Sequence, residues 1–119
     1  VSHPEYVTRV GKFFEDIGGR ALLMHGTEGE VYANPQRCPQ LVLIDAAGTR
    51  PVLERGEENV DVVLPEAKDP HTTAHWIEQC LAGNVPVPHA LKLQMACCLL
   101  ATGEVESVQA GLARVEQAF

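Results

Sequence analysis

The sequence lacks the motifs that mark several well-known classes of enzyme. Its 119 residues contain no G-x-G-x-x-G, no Walker A loop and no G-x-S-x-G. These patterns serve dinucleotide binding, phosphoryl transfer on a phosphate-binding loop, and acyl transfer by a serine at a sharp strand-to-helix turn. The sequence therefore gives no support to any of these three activities.

Positive charge is also scarce. Nine Lys and Arg residues face 16 Asp and Glu residues, so the formal net charge is −7. Neutralising a nucleic-acid backbone requires a surface rich in Lys and Arg. If nucleic acid is a partner, most of the basic groove must lie outside these residues.

Cysteine is present without the spacing of a metal site or a redox motif. Cys38, Cys80, Cys97 and Cys98 form no C-x-x-C pair, and the adjacent two lie within an apolar run. Such cysteines are typical of reduced thiols that are buried as small apolar side chains in a protein of a reducing compartment. We therefore expect a cytoplasmic protein with no membrane partner.

The composition is that of an ordinary globular segment. Hydrophobic residues make up 45% of the chain and charged residues 21%, which favours a single folded unit over residues 1–119. The chain begins Val-Ser-His-Pro and enters an amphipathic pattern at once. We expect it to be the carboxyl-terminal part of a longer protein.

Hydrophobic spacing predicts a short sheet with an antiparallel hairpin, packed on about four or five helices. Residues 90–101, apolar on nearly every face, are typical of a central helix rather than a surface one. The other predicted elements are a helix from Pro4 to Gly18-Gly19, strands over 20–25, 40–46, 50–55 and 60–64 with a turn at 47–49, a helix capped by Asp69, and a helix over 107–118.

The loop after the first strand is the candidate site, because ligands of open α/β sheets bind beyond the carboxyl ends of strands. His25, Glu28, Glu30 and Asn34 lie there. Their side chains suit a cation, a polarised substrate or a phosphate. A solvated glycine-rich turn is the other interpretation, and it is common for such residues.

Two further patterns point to no site. His71 and His75 share a helix face, but no third ligand or H-E-x-x-H pattern accompanies them. Cys38 follows Arg37 without a base to activate the thiol. We therefore expect no catalytic residue and no metal among them.

Four features in chain order carry a resemblance to a known family. His3-Pro4 opens a helix, Ala21 to Gly26 reads ALLMHG with Gly29 after it, a strand pair spans 41–53, and 96–119 forms an alanine-rich helix, a glycine break and a terminal helix. Together they resemble the carboxyl-terminal part of the anthranilate phosphoribosyltransferase family, glycosyltransferase family 3. The resemblance covers essentially the whole chain.

The resemblance implies a phosphoribosyltransferase-like α/β domain. It also implies a homodimer formed through an amino-terminal helical domain, which is absent here along with the pyrophosphate loop. The match looks closest to a paralogous branch associated with nucleic-acid binding rather than tryptophan biosynthesis. In the family's enzymes an Asp-Glu pair in the loop holds magnesium on phosphoribosyl pyrophosphate, whereas residues 29–34 read GEVYAN, with Glu30 alone.

Two functions follow from this resemblance. One is a non-catalytic, nucleic-acid-binding protein, in which Arg37, Arg50 and Arg55 are the local phosphate contacts. The alternative is a phosphoribosyltransferase with a divergent metal loop, which uses Glu30, magnesium and phosphoribosyl pyrophosphate. A third class is a structural domain whose fold has outlived its activity.

Overall fold

The computed structural model describes residues 1–26, 40–53 and 64–119. Within these ranges the fold is mixed α/β, with four helices and a three-stranded antiparallel sheet, so the predicted class and the hairpin are confirmed. Residues 60–63 of the fourth predicted strand lie outside the described ranges. The elements are α1 Pro4–Asp16, β1 Ala21–Leu23, β2 Leu41–Asp45, β3 Gly48–Leu53, α2 Pro70–Leu81, α3 His89–Ala101 and α4 Val108–Ala118.

The strands lie in the order β1-β2-β3, so β2 is central. Asp45 pairs with Gly48, which leaves 46 and 47 as the turn, so the predicted turn at 47–49 begins one residue too late and ends two residues too late. Gly48 begins β3 with φ of +119°, a conformation that glycine adopts without strain. Pro51 lies on β3, an edge strand of the sheet that the described residues form, where a residue without a backbone N–H is tolerated.

Both faces of β2 are covered, because successive side chains of a strand point to opposite faces. Leu41 and Leu43 belong to the core cluster that includes residues of α3. Ile44 points to the other face, where it lies with Leu23 beneath Gly11 of α1. The described chain is therefore layered as α1, sheet, then α3 with α4.

Helix α3 is central, as its apolar pattern predicts. It buries Ala90, Leu93, Ala96, Cys97 and Leu100. Helix α4 packs closely on it, and the side chain of Ser107 caps α4 by accepting a hydrogen bond from the backbone N–H of Ala110 at 3.0 Å.

The two remaining helices bury little of their apolar surface within the described ranges. In α2 the buried side chain is Cys80, while Ile77 and Leu81 are exposed. The side chain of Phe13 in α1 is also exposed, as is that of Ile17 directly after the helix. Their hydrophobic spacing predicted the helices correctly, but the partners that would cover them are not among the described residues.

Helices α1 and α2 both start at a proline, and their N-caps differ. Asp69 caps α2 as predicted, because its carboxylate accepts a hydrogen bond from the backbone N–H of Thr72 at 2.9 Å. Helix α1 starts at Pro4, but neither Ser2 nor His3 caps it through a side chain; the Ser2 hydroxyl lies 3.1 Å from His3 Nδ1 instead. None of the described helices is long and apolar enough to cross a membrane.

Candidate functional site

The predicted site residues fall into two groups. His25 and Arg50 are described, and the structure does not bring them together through any shared contact among the described residues. The remaining candidates, Glu28, Glu30, Asn34, Arg37 and Arg55, lie outside the described residues.

His25 follows β1 and is exposed. Its ring nitrogen Nε2 donates a hydrogen bond to the carbonyl oxygen of Ser2 at 2.9 Å. Beside it, the backbone N–H of Gly26 donates to Val1 at 2.8 Å, and the nitrogen of Val1 donates to Met24 at 3.0 Å. The imidazole thus helps to hold residues 1 and 2 beside the exit of β1.

Arg50 is engaged in an ion pair. Its Nη1 and Nη2 atoms donate to Oδ1 and Oδ2 of Asp45 at 3.1 and 3.2 Å, a two-pronged contact between guanidinium and carboxylate. The side chain of Arg50 is 47% exposed and that of Asp45 is 14% exposed. Any phosphate bound by Arg50 would compete with Asp45 for these two nitrogens.

Arg20 joins the same carboxylate from the opposite side, and no sequence pattern singles it out. Its Nη1 lies 3.4 Å from Asp45 Oδ2. Its Nε and Nη2 donate to the carbonyl oxygens of Ala101 and Leu100, each at 2.8 Å. These are carbonyls of the last turn of α3, where a cation is stabilised by the helix dipole and by unsatisfied acceptors.

The three side chains line one polar cleft of about 390 Å³. We call it the Arg20–Asp45–Arg50 cleft; Leu43, Leu100, Gly103, Val105 and Glu106 complete its lining. Two guanidinium groups face two carboxylates, so the local charge is close to balanced. The cleft lies between β2, β3 and the end of α3. Its three charged side chains form their hydrogen bonds with other groups of this segment.

Hydrogen bonding keeps Asp45 ionised. The hydrogen bond from Arg50 is the largest influence and holds the pKa of Asp45 below its ordinary value. Partial burial raises this pKa, whereas the N–H of Ala47, at 2.9 Å, and the charge of Arg20 lower it further. The net direction is downward.

This lowered pKa predicts a loss of stability in acid. The stabilisation is fully present at neutral pH, above the pKa of the unfolded chain, and is lost as the pH falls from about 4 through the folded-state pKa of Asp45. We expect Asp45→Asn to be less stable than the wild type at pH 7 and to lose less stability between pH 5 and pH 3. Urea denaturation across this range measures both effects.

The matched control is Asp16→Asn. Asp16 lies 3.8 Å from Lys12 in an exposed pair within α1, so its replacement should change the stability little. An Asp45→Asn variant with the same acid dependence as the wild type would contradict the prediction.

Within residues 1–26, 40–53 and 64–119, no group of three or more His, Cys, Asp or Glu side chains is arranged to hold a metal ion. His71 and His75 are both exposed on α2. The described cysteines form no disulfide. Glu30, the acid considered for magnesium, lies outside these ranges.

The fold is that of a small mixed α/β segment with an ion-paired cleft. Comparison with known proteins finds a relative whose description states no function. The chain matches no established protein-family profile. It is 67% identical over 119 residues to a protein of Escherichia coli (strain K12) described as "Uncharacterized protein YbiB". The alignment spans 100% of this chain and 37% of the length of that relative.

Proposed function

We propose that the protein containing these residues is a non-catalytic, nucleic-acid-binding member of the phosphoribosyltransferase-like proteins. It acts in the cytoplasm as a homodimer that forms through a helical domain outside residues 1–119. The proposal rests on the resemblance to the anthranilate phosphoribosyltransferase family, together with the departure from it in the loop over 29–34.

The loop sequence is the observation that carries the proposal. Magnesium prefers carboxylate oxygens, water and phosphate in near-octahedral geometry. Glu30 offers one carboxylate, and the following Val31 and Tyr32 offer none, where the resemblance leads us to expect an adjacent Asp-Glu pair. A loop with one acid would hold magnesium on a pyrophosphate poorly. This favours nucleic-acid binding over phosphoribosyl transfer as the function.

The charge distribution assigns a limited role to this segment. With a net charge of −7, residues 1–119 cannot supply most of a phosphate-neutralising surface. Among the proposed local contacts, Arg50 is accessible but paired with Asp45. We therefore expect Arg37, Arg50 and Arg55 to add to a basic groove formed mainly by the rest of the protein.

Fluorescence anisotropy of the full-length protein with labelled single-stranded DNA tests the proposal. Titrations at about 50 and about 200 mM salt should show tight binding that weakens steeply, because bound phosphates release counterions. Absence of binding at the lower salt concentration would overturn the proposal. Phosphoribosyl transfer that requires magnesium and is abolished by Glu30→Gln would establish the alternative instead.

A triple variant tests the local contacts separately. Arg37→Ala, Arg50→Ala and Arg55→Ala together should weaken binding and make its salt dependence shallower. The matched control removes three other surface cations, Arg9, Lys12 and Lys68, and so changes the net charge equally. Equal effects of the two triple variants would exclude Arg37, Arg50 and Arg55 as specific contacts. The proposal that the full-length protein binds nucleic acid would still stand.

A further inference from the structure

Val1 lies against the end of β1 in the geometry of a parallel β-bridge. Its nitrogen donates to the carbonyl oxygen of Met24 at 3.0 Å, and its carbonyl oxygen accepts from the backbone N–H of Gly26 at 2.8 Å. In an antiparallel pair both bonds would join Val1 to one residue, whereas in a parallel pair they join it to the two neighbours of the residue opposite. Val1 is therefore opposite His25, and the chain through Val1 runs in the same direction as β1.

This bridge lies on the side of β1 that faces away from β2. The two strands are antiparallel, with Leu23 opposite Val42, and the same register brings Gln40 beside His25 on the β2 side. Val1 must then lie on the other side of His25. We call this side of residues 21–25 the outer edge of β1. Among the described residues β1 is an end strand of the sheet, so no further strand of these ranges occupies that edge.

The outer edge offers backbone groups that continue the same ladder. Alternate residues of a strand direct their N–H and C=O groups to the same edge. The groups of Leu22 therefore point the same way as the carbonyl of Met24, towards the side of Val1. Leu22 is half-buried and packs against the core cluster. Backbone groups in such a position are nearly always hydrogen-bonded in folded proteins, so we expect a strand along this edge.

Helix α1 has the position and the length of the crossover between two parallel strands. It begins three residues after Val1, packs on the sheet with Gly11 above Leu23 and Ile44, and is followed by β1. Its 13 residues span about 20 Å. The strand and the two residues after it span about 17 Å. The helix can therefore carry the chain from the end of one strand back to the start of its parallel neighbour, which is the connection that such strands require.

We propose that the segment directly before Val1 in the full-length protein forms a strand parallel to β1 along this outer edge. The bridge fixes its register: the second residue before Val1 lies opposite Leu23, and the fourth lies opposite Ala21. Strand β1 is then an internal strand of a mixed sheet. Because α1 and α3 cover opposite faces of that sheet, the added strand is apolar along its length.

Continuity of the chain favours this occupant over a second copy. The residue before Val1 is bonded covalently to a residue that already takes part in the ladder, so an extended chain continues along the outer edge without a turn. A strand of another molecule could bind there only if the chain turned away before Val1. The inference rests on hydrogen-bond geometry and is independent of nucleic-acid binding.

Engineered disulfides in the full-length protein test the direction and the register together. The native cysteines are first replaced by alanine. Opposite residues of neighbouring strands are about 4.8 Å apart, which a disulfide can span. We expect a cysteine at the fourth residue before Val1 to form a disulfide with Ala21→Cys under mild oxidation. Ala21 is small and half-buried, so this substitution disturbs the sheet little.

Two matched pairs provide the controls. Val1→Cys with His25→Cys is the positive reference, because the described structure already places these residues opposite each other. A cysteine at the third residue before Val1, combined with Ala21→Cys, is the negative control, because successive side chains point to opposite faces. We expect the test pair to close at least about tenfold faster than the negative control and within about tenfold of the reference.

Each other outcome would overturn the proposal. Closure of the reference pair without the test pair would mean that the chain leaves the outer edge before Val1. A reference pair that does not close would mean that the bridge is absent from the full-length protein. Links between two molecules, visible as a dimer on a non-reducing gel, would assign the edge to a second copy. Neither engineered cysteine lies in residues 27–39 or 54–63, so those residues cannot produce the expected link.

Discussion

Replacing Gly111 with valine is expected to lower the free energy of unfolding by about 3 kcal/mol. Gly111 lies where α4 crosses α3. A Cβ atom at this position would lie 2.9 Å from the Cβ of Ala96 and 3.0 Å from both its Cα and its carbonyl oxygen. Because two of these atoms are backbone, the helices must separate to admit any side chain. The midpoint and slope of urea denaturation give the change.

Alanine substitutions at two helical glycines provide a matched control. Gly11→Ala and Gly111→Ala gain the same helix propensity, about 1 kcal/mol. At Gly11 the added Cβ would meet Leu23 and Ile44 at 3.6 and 3.7 Å, which are ordinary contacts, so this variant should be more stable than the wild type. At Gly111 the contact with Ala96 outweighs the gain in propensity.

Two results test whether the close contact with Ala96 makes a side chain at position 111 costly. The double variant Gly111→Ala with Ala96→Gly should recover little of the stability that Gly111→Ala loses, because it removes only the Cβ of Ala96 and leaves its backbone Cα and carbonyl oxygen 3.0 Å from the added Cβ. Equal stability of Gly11→Ala and Gly111→Ala would show that the helices can separate at little cost.

The second large effect is expected at the centre of the sheet. Leu43 is fully buried on β2 and belongs to the core cluster with Leu93 and Leu100. Leu43→Ala removes a side chain that is covered by the neighbouring strands and by α3, and leaves a cavity. We expect a loss of about 4 kcal/mol in the free energy of unfolding.

Leu43→Met is the control for this core position. It keeps the volume and the apolar character of the side chain, so it should cost less than about 1.5 kcal/mol. Thermal denaturation of both variants against the wild type measures the difference. A small and equal loss for alanine and methionine would mean that the surroundings of Leu43 collapse to fill the space.

The elements predicted most accurately are those with a strong local pattern. The run over 90–101 is apolar on nearly every face, and the structure places α3 at 89–101 as the central helix. Proline at the first helical position correctly marks the starts of α1 and α2. In each case the residues that determine the element lie within a few positions of one another.

The turn of the hairpin shows how a small error in the predicted strand register conceals the ion pair between Asp45 and Arg50. A turn at 47–49 places Arg50 opposite residue 46, and so on the other face of the sheet from Asp45. The observed pairing of Asp45 with Gly48 places Arg50 opposite Leu43, on the same face as Asp45. Opposite charges on neighbouring strands of one face attract, so the correct register would have predicted the ion pair.

Other features of the structure cannot be predicted from a local sequence pattern. Arg20 contacts Ala101, which is 81 residues further along the chain, and no spacing rule connects them. Periodicity also predicted apolar faces on α1 and α2 without indicating what covers them. Leu81, for example, is 68% exposed among the described residues. Which apolar faces find partners depends on tertiary structure.

The contact of Arg20 with the end of α3 has a consequence for the order of folding. Its two carbonyl partners are 80 and 81 residues away, so the contact closes a long loop, and the chain must lose that conformational entropy first. We therefore expect neither the amino-terminal nor the carboxyl-terminal part of the segment to complete its core before the other. The sheet and α3 should then open as a single cooperative unit, and amide hydrogen exchange in β2 and in the last turn of α3 should report one shared opening event.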